Sequence, residues 1–401
     1  MDNTSANPAS TESPVKANWG AVCALTLCVA TLISSEFMPV SLLTPIATDL
    51  DLTEGQAGQA IAVSGIFAVL TSLFIATASG KLDRRTLLLG LVVAMLASGA
   101  ITAFAPNYAV LMIGRALIGI VIGGFWSMSA ATVMRLVPAR DVPKGLAILN
   151  GGNALATTIA APLGSFMGQF IGWRGAFFAV VPLAVITLIW LLYTLPSMPN
   201  EKKAETFAAF RILRQPVVAL GMLAAAMFFL GQFALFTYLR PFLESVAQVD
   251  VSTLSFLILL MGVAGLVGTF LVDGVLRDHL YSSLIVMPLL MGALALGLVL
   301  FGSSVTWTAA LLVFWGLIGT AAPVGWWAWV SKALPNDAEA GGGLMVAVIQ
   351  LAITAGAGVG GLLFDSQGYQ YTFMLSALAF CACAGAAAVT AFAHKASVVS
   401  G

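Results

Sequence analysis

Charge is scarce in this 401-residue chain: Asp, Glu, Lys and Arg together make up 8% of it. Soluble domains carry about 25%, so a soluble globular fold is excluded. Neither sign is in excess, because 17 basic residues balance 17 acidic ones, and nucleic acid would meet no basic footprint. Histidine is reduced to His279 and His394, so no histidine-based metal site is expected. The cysteines Cys23, Cys28, Cys381 and Cys383 lie inside apolar stretches at spacings that fit neither zinc nor a disulfide framework; they read as small buried hydrophobes. A Walker phosphate loop is also missing. Gly80-Lys81 runs into Leu-Asp rather than Ser or Thr, which excludes ATP as this chain's own energy source. No His, Asp and Ser constellation suggests an enzyme, and no sizeable polar stretch suggests a soluble sensor domain. What is plentiful is apolar: 60% of residues are hydrophobic and the mean hydropathy is strongly positive.

A hydrocarbon core of about 30 Å needs about 20 apolar residues per helix. Runs of that order lie at approximately 19–46, 56–79, 86–105, 108–133, 145–170, 175–195, 217–239, 252–273, 281–302, 306–330, 342–364 and 370–393. They predict an all-α membrane protein of twelve helices. Residues 1–18 read as a disordered tail, 19–195 as one six-helix bundle, 196–216 as a linker, 217–393 as a second bundle and 394–401 as a closing tail. The stretch from Trp19 to Pro45 is too long for a signal peptide and reads as a retained first helix. In the linker, Phe207, Phe210 and Leu213 recur at helical spacing opposite Lys202, Lys203, Arg211 and Arg214, which predicts a short helix lying in the interface. Of the lysines and arginines outside the helices, fourteen fall on alternate breaks and the termini, and only Arg174 and Arg240 on the others. Both termini and the linker are therefore expected in the cytoplasm.

The halves echo each other. Leu111, Leu117, Ile118, Gly119 and Trp126 recur 200 positions later as Leu311, Leu317, Ile318, Gly319 and Trp326, and Pro138 and Gly164 recur as Pro335 and Gly361. Matching helices in matching orientation predict a parallel six-plus-six duplication, with a binding site between the halves near mid-membrane.

Few residues at that depth carry chemistry. Glu36 has no other acidic residue within twelve positions. A lone intramembrane carboxyl is expensive and marks a proton, ion or substrate site; the competing reading is a structural pair with Arg115. Arg115 keeps its proton in practice, so it partners anions, or else forms a salt bridge or clamps backbone carbonyls. Arg115, Gly119, Ile122 and Trp126 share one helical face. The amides Asn150, Asn153, Gln232 and Gln350 either glue helices together or line a polar cavity with nearby aromatics. Asp83, Arg84 and Arg85 read as a cytoplasmic gate or as a topogenic charge cluster. The pairs Gly119/Gly123, Gly164/Gly168 and Gly356/Gly360 suggest close helix contact.

Several motifs resemble one family. Gly80-Lys81-Leu82-Asp83-Arg84-Arg85 is similar to the major facilitator signature loop, and Leu111-x-x-x-Arg115-x-x-x-Gly119 with Gly123-Gly124 to its fourth-helix motif. Ala161-Pro162-x-Gly164 resembles the antiporter motif of the drug:proton antiporter branch, with alanine where glycine is usual. Glu36-Phe37-x-Pro39-Val40-x-Leu42-Leu43-x-Pro45, Gly123-Gly124-Phe125-Trp126, Ala161-Pro162-Leu163-Gly164-Ser165 and Gly172-Trp173-Arg174 look like the arabinose-efflux-permease-like group, and within it exporters of purine ribonucleosides. The resemblance implies a multi-pass protein of a bacterial inner membrane. It would export inosine or guanosine in exchange for protons, with sugars or lipophilic drugs as the alternative cargo. It would need no cofactor beyond the proton gradient, no metal and no nucleic-acid partner, and would act as a monomer in the bilayer. Glu36 and Arg115 would couple protons. Glu36, Asn153, Gln232 and Gln350 would bind polar edges of the substrate, with Phe125, Trp126, Phe233 and Trp326 stacking on its base.

Overall fold

The computed structural model describes residues 17–78, 80, 82–199, 211–334 and 338–400. Regular structure among them is helical throughout: α1 (Trp19–Asp49), α2 (Glu54–Ala78), α3 (Arg84–Ala103), α4 (Tyr108–Leu136), α5 (Val142–Phe178), α6 (Val180–Thr194), α7 (Pro216–Thr237), α8 (Leu239–Ser245), α9 (Val251–Phe301), α10 (Val305–Ala333), α11 (Ala338–Gln367) and α12 (Tyr369–Ser400), with a 3-10 turn at Ala139–Asp141 before α5. Side-chain oxygens of Asn18, Asp83, Asn107 and Asp250 take up backbone N–H groups at the starts of α1, α3, α4 and α9, which the first turn of a helix leaves without partners.

Among the described residues, ten helical stretches are long and apolar enough to cross a membrane. Two of them, Ala139–Thr194 with 56 residues and Val251–Phe301 with 51, are more than twice the length one crossing needs. Each contains a break where the sequence expects one. Gly172 adopts φ 70, ψ 168 inside α5, a conformation open to glycine and costly for other residues. His279 leaves helical geometry at φ −130, ψ 37 inside α9.

Four boundaries depart from expectation. Asn18, assigned to a disordered tail, is anchored: its amide donates to the Thr194 carbonyl at 2.7 Å and its N–H to the Leu136 carbonyl at 2.8 Å. The helix expected over 217–239 breaks at Tyr238 and continues as α8, because Pro241 has no N–H for the carbonyl four residues back. The last helix runs to Ser400 rather than ending at 393. The linker begins on the first half, where Arg135 donates to the Pro199 carbonyl at 3.0 Å; Phe207 and Phe210 of the expected interfacial helix lie outside the described residues.

Glycines set the helix contacts. A Cβ on Gly119 or Gly123 would collide with the α2 backbone at Ser64 and Ala68, and one on Gly316 would strike the α9 backbone at Met261. Likewise Gly164 and Gly168 seat α5 on α1 at Ser41 and Leu42, while Gly356 and Gly360 seat α11 on α7 at Leu230 and Ala234. Small residues let helices without a water-driven attraction approach closely enough for dispersion to hold them.

Hydrogen bonds between residues 17–199 and 211–400 gather at the end of the bundle formed by the last turns of α1 and the start of α2. Asp365 accepts from the Thr53 hydroxyl at 2.6 Å and from the Gly55 N–H at 2.9 Å. Gln59 donates to the Gly358 carbonyl at 3.3 Å, Thr354 to the Ala62 carbonyl at 3.4 Å and Ser255 to Ser165 at 2.9 Å. Tyr238, wholly buried, packs on Phe364 with ring centroids 5.1 Å apart. This end is closed.

Candidate functional site

The site begins with two prolines inside α1. Pro39 and Pro45 lack the N–H that a helix would offer to the carbonyls four residues earlier, those of Ser35 and Ser41. Each stranded carbonyl is taken by a buried arginine. Arg115 Nη1 donates to the Ser35 carbonyl at 2.8 Å and Arg240 Nη1 donates to the Ser41 carbonyl. Arg115, 1% exposed, also gives Nε to the Ala60 carbonyl at 3.0 Å, and Nη2 to the Glu36 carbonyl at 3.1 Å and the Ser64 hydroxyl at 3.2 Å. Its planar fork thus ties α4 to α1 and α2 at once. Of the two structural arrangements open to Arg115 in the sequence, the geometry is that of the carbonyl clamp. Among the described residues no ion pair joins it to the Glu36 carboxylate.

Glu36 looks the other way. The residue is 4% exposed and its carboxylate accepts from Gln350 Nε2 of α11 at 3.3 Å, a bond that bridges the two halves at mid-helix. The adjacent Phe37 stacks on Phe233 of α7 at 5.6 Å and 26°. Several buried polar atoms of the second half are short of partners. Gln350 Oε1, Gln232 Oε1, Trp315 Nε1 and Trp326 Nε1 are buried and form no hydrogen bond among the described residues, a costly condition in a protein interior. Gln232 rests against Gly319 of α10.

The structure brings together only part of the expected set. Glu36 of α1 meets Gln350 of α11 through their hydrogen bond, and Phe233 of α7 meets α1 through Phe37, with Gln232 its neighbour in sequence on α7. Phe233 has one face covered by Phe37, and Phe125 is buried in the first half's core, edge-on to Trp126 at 6.3 Å. Trp326 is packed edge-on against Trp329 at 6.1 Å, and Trp315 against Phe380 at 5.7 Å. Asn153 is half-buried on α5, and the amide of Asn150 donates to its own helix at Leu146. Among the described residues no hydrogen bond or ring contact joins Phe125, Trp126 or Asn153 to the Glu36 bridge.

Asp83 caps α3 and accepts from the Met198 N–H at 2.9 Å and from the Ser197 hydroxyl. The Ser197 hydrogen bond, seconded by the Met198 and Arg85 N–H groups, holds the Asp83 carboxyl below the usual carboxylate range. Arg85 Nη2 reaches the Leu192 carbonyl at 2.8 Å. In this arrangement Asp83 and Arg85 bind their own half, pinning the start of α3 to the segment after α6.

In the sequence Phe37 enters only within a motif and Arg240 only as a topological charge; neither is named as a site residue. A signal existed: each proline in α1 names a stranded carbonyl four residues back, and two stranded carbonyls call for two donors.

Comparison with known proteins agrees with the fold. The sequence profile of the Major Facilitator Superfamily matches residues 24–351. A Pseudomonas aeruginosa protein named transcription regulatory protein OpdE is 57% identical over 381 residues, covering 94% of each chain. The purine ribonucleoside efflux pump NepI of Salmonella typhimurium is 45% identical over 359 residues, covering 90% of each. Among solved structures, a bacterial homologue of the human lysosomal transporter Spinster superposes with a TM-score of 0.71 at 16% identity, covering 93% of this chain and 95% of that one. A D-xylose–proton symporter gives 0.71 at 16%, with 91% and 96% covered. This chain belongs to the Major Facilitator Superfamily, a family of membrane transporters rather than enzymes.

Proposed function

We propose that this chain is a proton-coupled exporter of purine ribonucleosides in a bacterial inner membrane, built from twelve crossings with both termini in the cytoplasm. At 1.5 Å per residue, α9 is about 75 Å long, enough for two passes of a core of about 30 Å; dividing it at His279, and α5–α6 at Gly172, turns ten stretches into twelve crossings. The glycine contacts support a parallel duplication. In each half the fourth crossing rests on the second and the fifth on the first, through glycines at matching places. The division of basic residues supports the orientation. Reporter fusions at the C-terminus and after Asp250 should read inside and outside respectively, and a C-terminus outside would overturn both orientation and duplication.

The observation that carries the substrate reading is a set of buried polar atoms without partners among the described residues: Gln350 Oε1 in the Glu36–Gln350 bridge itself, with Gln232 Oε1 on α7 and Trp315 Nε1 and Trp326 Nε1 on α10. Acceptors from Gln232 and Gln350 and donors from tryptophan suit a purine, whose edge mixes N–H donors with ring-nitrogen and carbonyl acceptors. A lipophilic drug would leave them unsatisfied. The efflux activity named for the 45% relative supports the same substrate class. Inverted vesicles should accumulate labelled inosine and guanosine when a pH gradient is imposed, in preference to a sugar or a lipophilic dye. Gln232→Ala and Trp326→Ala should weaken apparent affinity about ten- to a hundredfold, corresponding to roughly 1–3 kcal/mol for a lost buried pairing. Accumulation of the dye without nucleoside would favour a drug pump.

The regulatory name of the 57% relative suggests a second reading. The described residues are helices of membrane character, and the chain lacks a basic excess. A regulatory effect would therefore arise from changing the cytoplasmic level of a solute that a regulator senses.

A further inference from the structure

We propose that Arg240 is the residue that locks the outer mouth, holding the Ser41 carbonyl that Pro45 strands, and that the mouth opens when Arg240 exchanges this carbonyl for the second oxygen of Glu244. The proposal rests on the orientation above, which makes the closed end the outer one.

Arg240 lies in the first turn of the short α8 in the second half, yet its Nη1 reaches into the first, to Ser41 of α1, with Ser165 Oγ of α5 at 3.5 Å. The residue is 4% exposed, so its guanidinium depends on protein acceptors while the mouth is shut. Within its own half it has one further bond, Nε to Glu244 Oε1 at 2.8 Å. Among the described residues, buried Glu244 Oε2 accepts no hydrogen bond, and buried Thr44 Oγ1 across the mouth has no partner either. Beside them opens a cavity of about 660 Å³ lined by Thr44, Pro45, Thr48, Asp49, Arg240 and Glu244.

These features form two alternative seats. In the closed seat one donor holds the opposite half. In the open seat the guanidinium and Glu244 form a forked pair wholly within the second half, with the cavity giving the side chain room to turn. A desolvated guanidinium needs an acceptor in both states, and a planar fork can satisfy a carboxylate bidentately. A lysine at this position keeps the charge but offers no fork. The Ser41 carbonyl cannot relapse into helix, because position 45 has no N–H, so it stays available for the next closure.

Ala62 gives the readout. It is 4% exposed and packs near Gly358 of the other half, below the mouth. In a background with the four native cysteines replaced by alanine, Ala62→Cys is treated with a membrane-impermeant maleimide from the outside of cells and, separately, from the cytoplasmic face in inverted vesicles. Adding Arg240→Ala should raise outside labelling about tenfold, and Arg240→Lys should give an intermediate rate. Pro45→Ala, which returns a helical N–H to compete for the Ser41 carbonyl, should raise it as well. In transport, turnover should fall in these variants while KM stays near that of the parent. Outside labelling left unchanged by both Arg240→Ala and Pro45→Ala in folded, monodisperse protein overturns the proposal. A change seen only from the cytoplasmic face also overturns it, together with the orientation on which it rests.

Discussion

Glu36→Gln should lower gradient-driven export at least a hundredfold while leaving the protein inserted and folded. An amide matches the carboxylate in shape and can still pair with Gln350, since an amide oxygen accepts from Nε2 as a carboxylate oxygen does. What it cannot do is gain and lose a proton, so the substitution separates coupling from packing. Counterflow of labelled against unlabelled nucleoside needs no net proton movement and should survive. Nucleoside uptake into inverted vesicles that follows the imposed pH gradient at the parental rate would place the coupling carboxyl elsewhere.

The second large effect is expected at Arg115. Arg115→Met removes donors to four groups on α1 and α2. The Ser35 carbonyl is the one left stranded, because Pro39 offers no N–H in exchange. A buried polar group without a partner costs about 1–3 kcal/mol, and a poorly filled site adds to that. Thermal unfolding in detergent should fall accordingly, and export with it. Pro39→Ala in the same chain should restore about 1–3 kcal/mol, since the new N–H closes the broken rung of the helix. The double variant would then be milder than the arginine change alone. Additive losses in the double variant would show that the Ser35 carbonyl is not what Arg115 chiefly serves.

Much of the architecture is legible in the residues because a bilayer imposes its thickness on the hydropathy pattern. The breaks fall where Gly172 and His279 interrupt apolar runs, and the glycine pairs mark the helix contacts. Glu36 stands out for the same reason: any isolated charge does in an apolar run. Pairings between halves are a different matter. That Glu36 meets Gln350 rather than Arg115, and that Phe37 covers Phe233, depends on how two separately packed bundles lean on each other. No local pattern encodes that angle. Arg240 lay between the two cases, since the offset from Pro45 names the carbonyl at Ser41 but not the arginine that would come for it.

The start of α2 shows how a contact can be made to be broken. Asp365 reaches across from α11 to the Thr53 hydroxyl and the Gly55 N–H. Thr53 and Gln56 meanwhile cap each other: the Gln56 N–H donates to Thr53 Oγ1 at 3.1 Å and the Thr53 N–H to Gln56 Oε1 at 3.0 Å, a reciprocal box that secures the first turn by itself. Were Asp365 to withdraw, α2 would keep its end wound, and the departing carboxylate would pass to water, where it is well solvated. The joint works like a clasp whose two parts are each finished at the edge. It can part and rejoin in every cycle without fraying the helix that bears it.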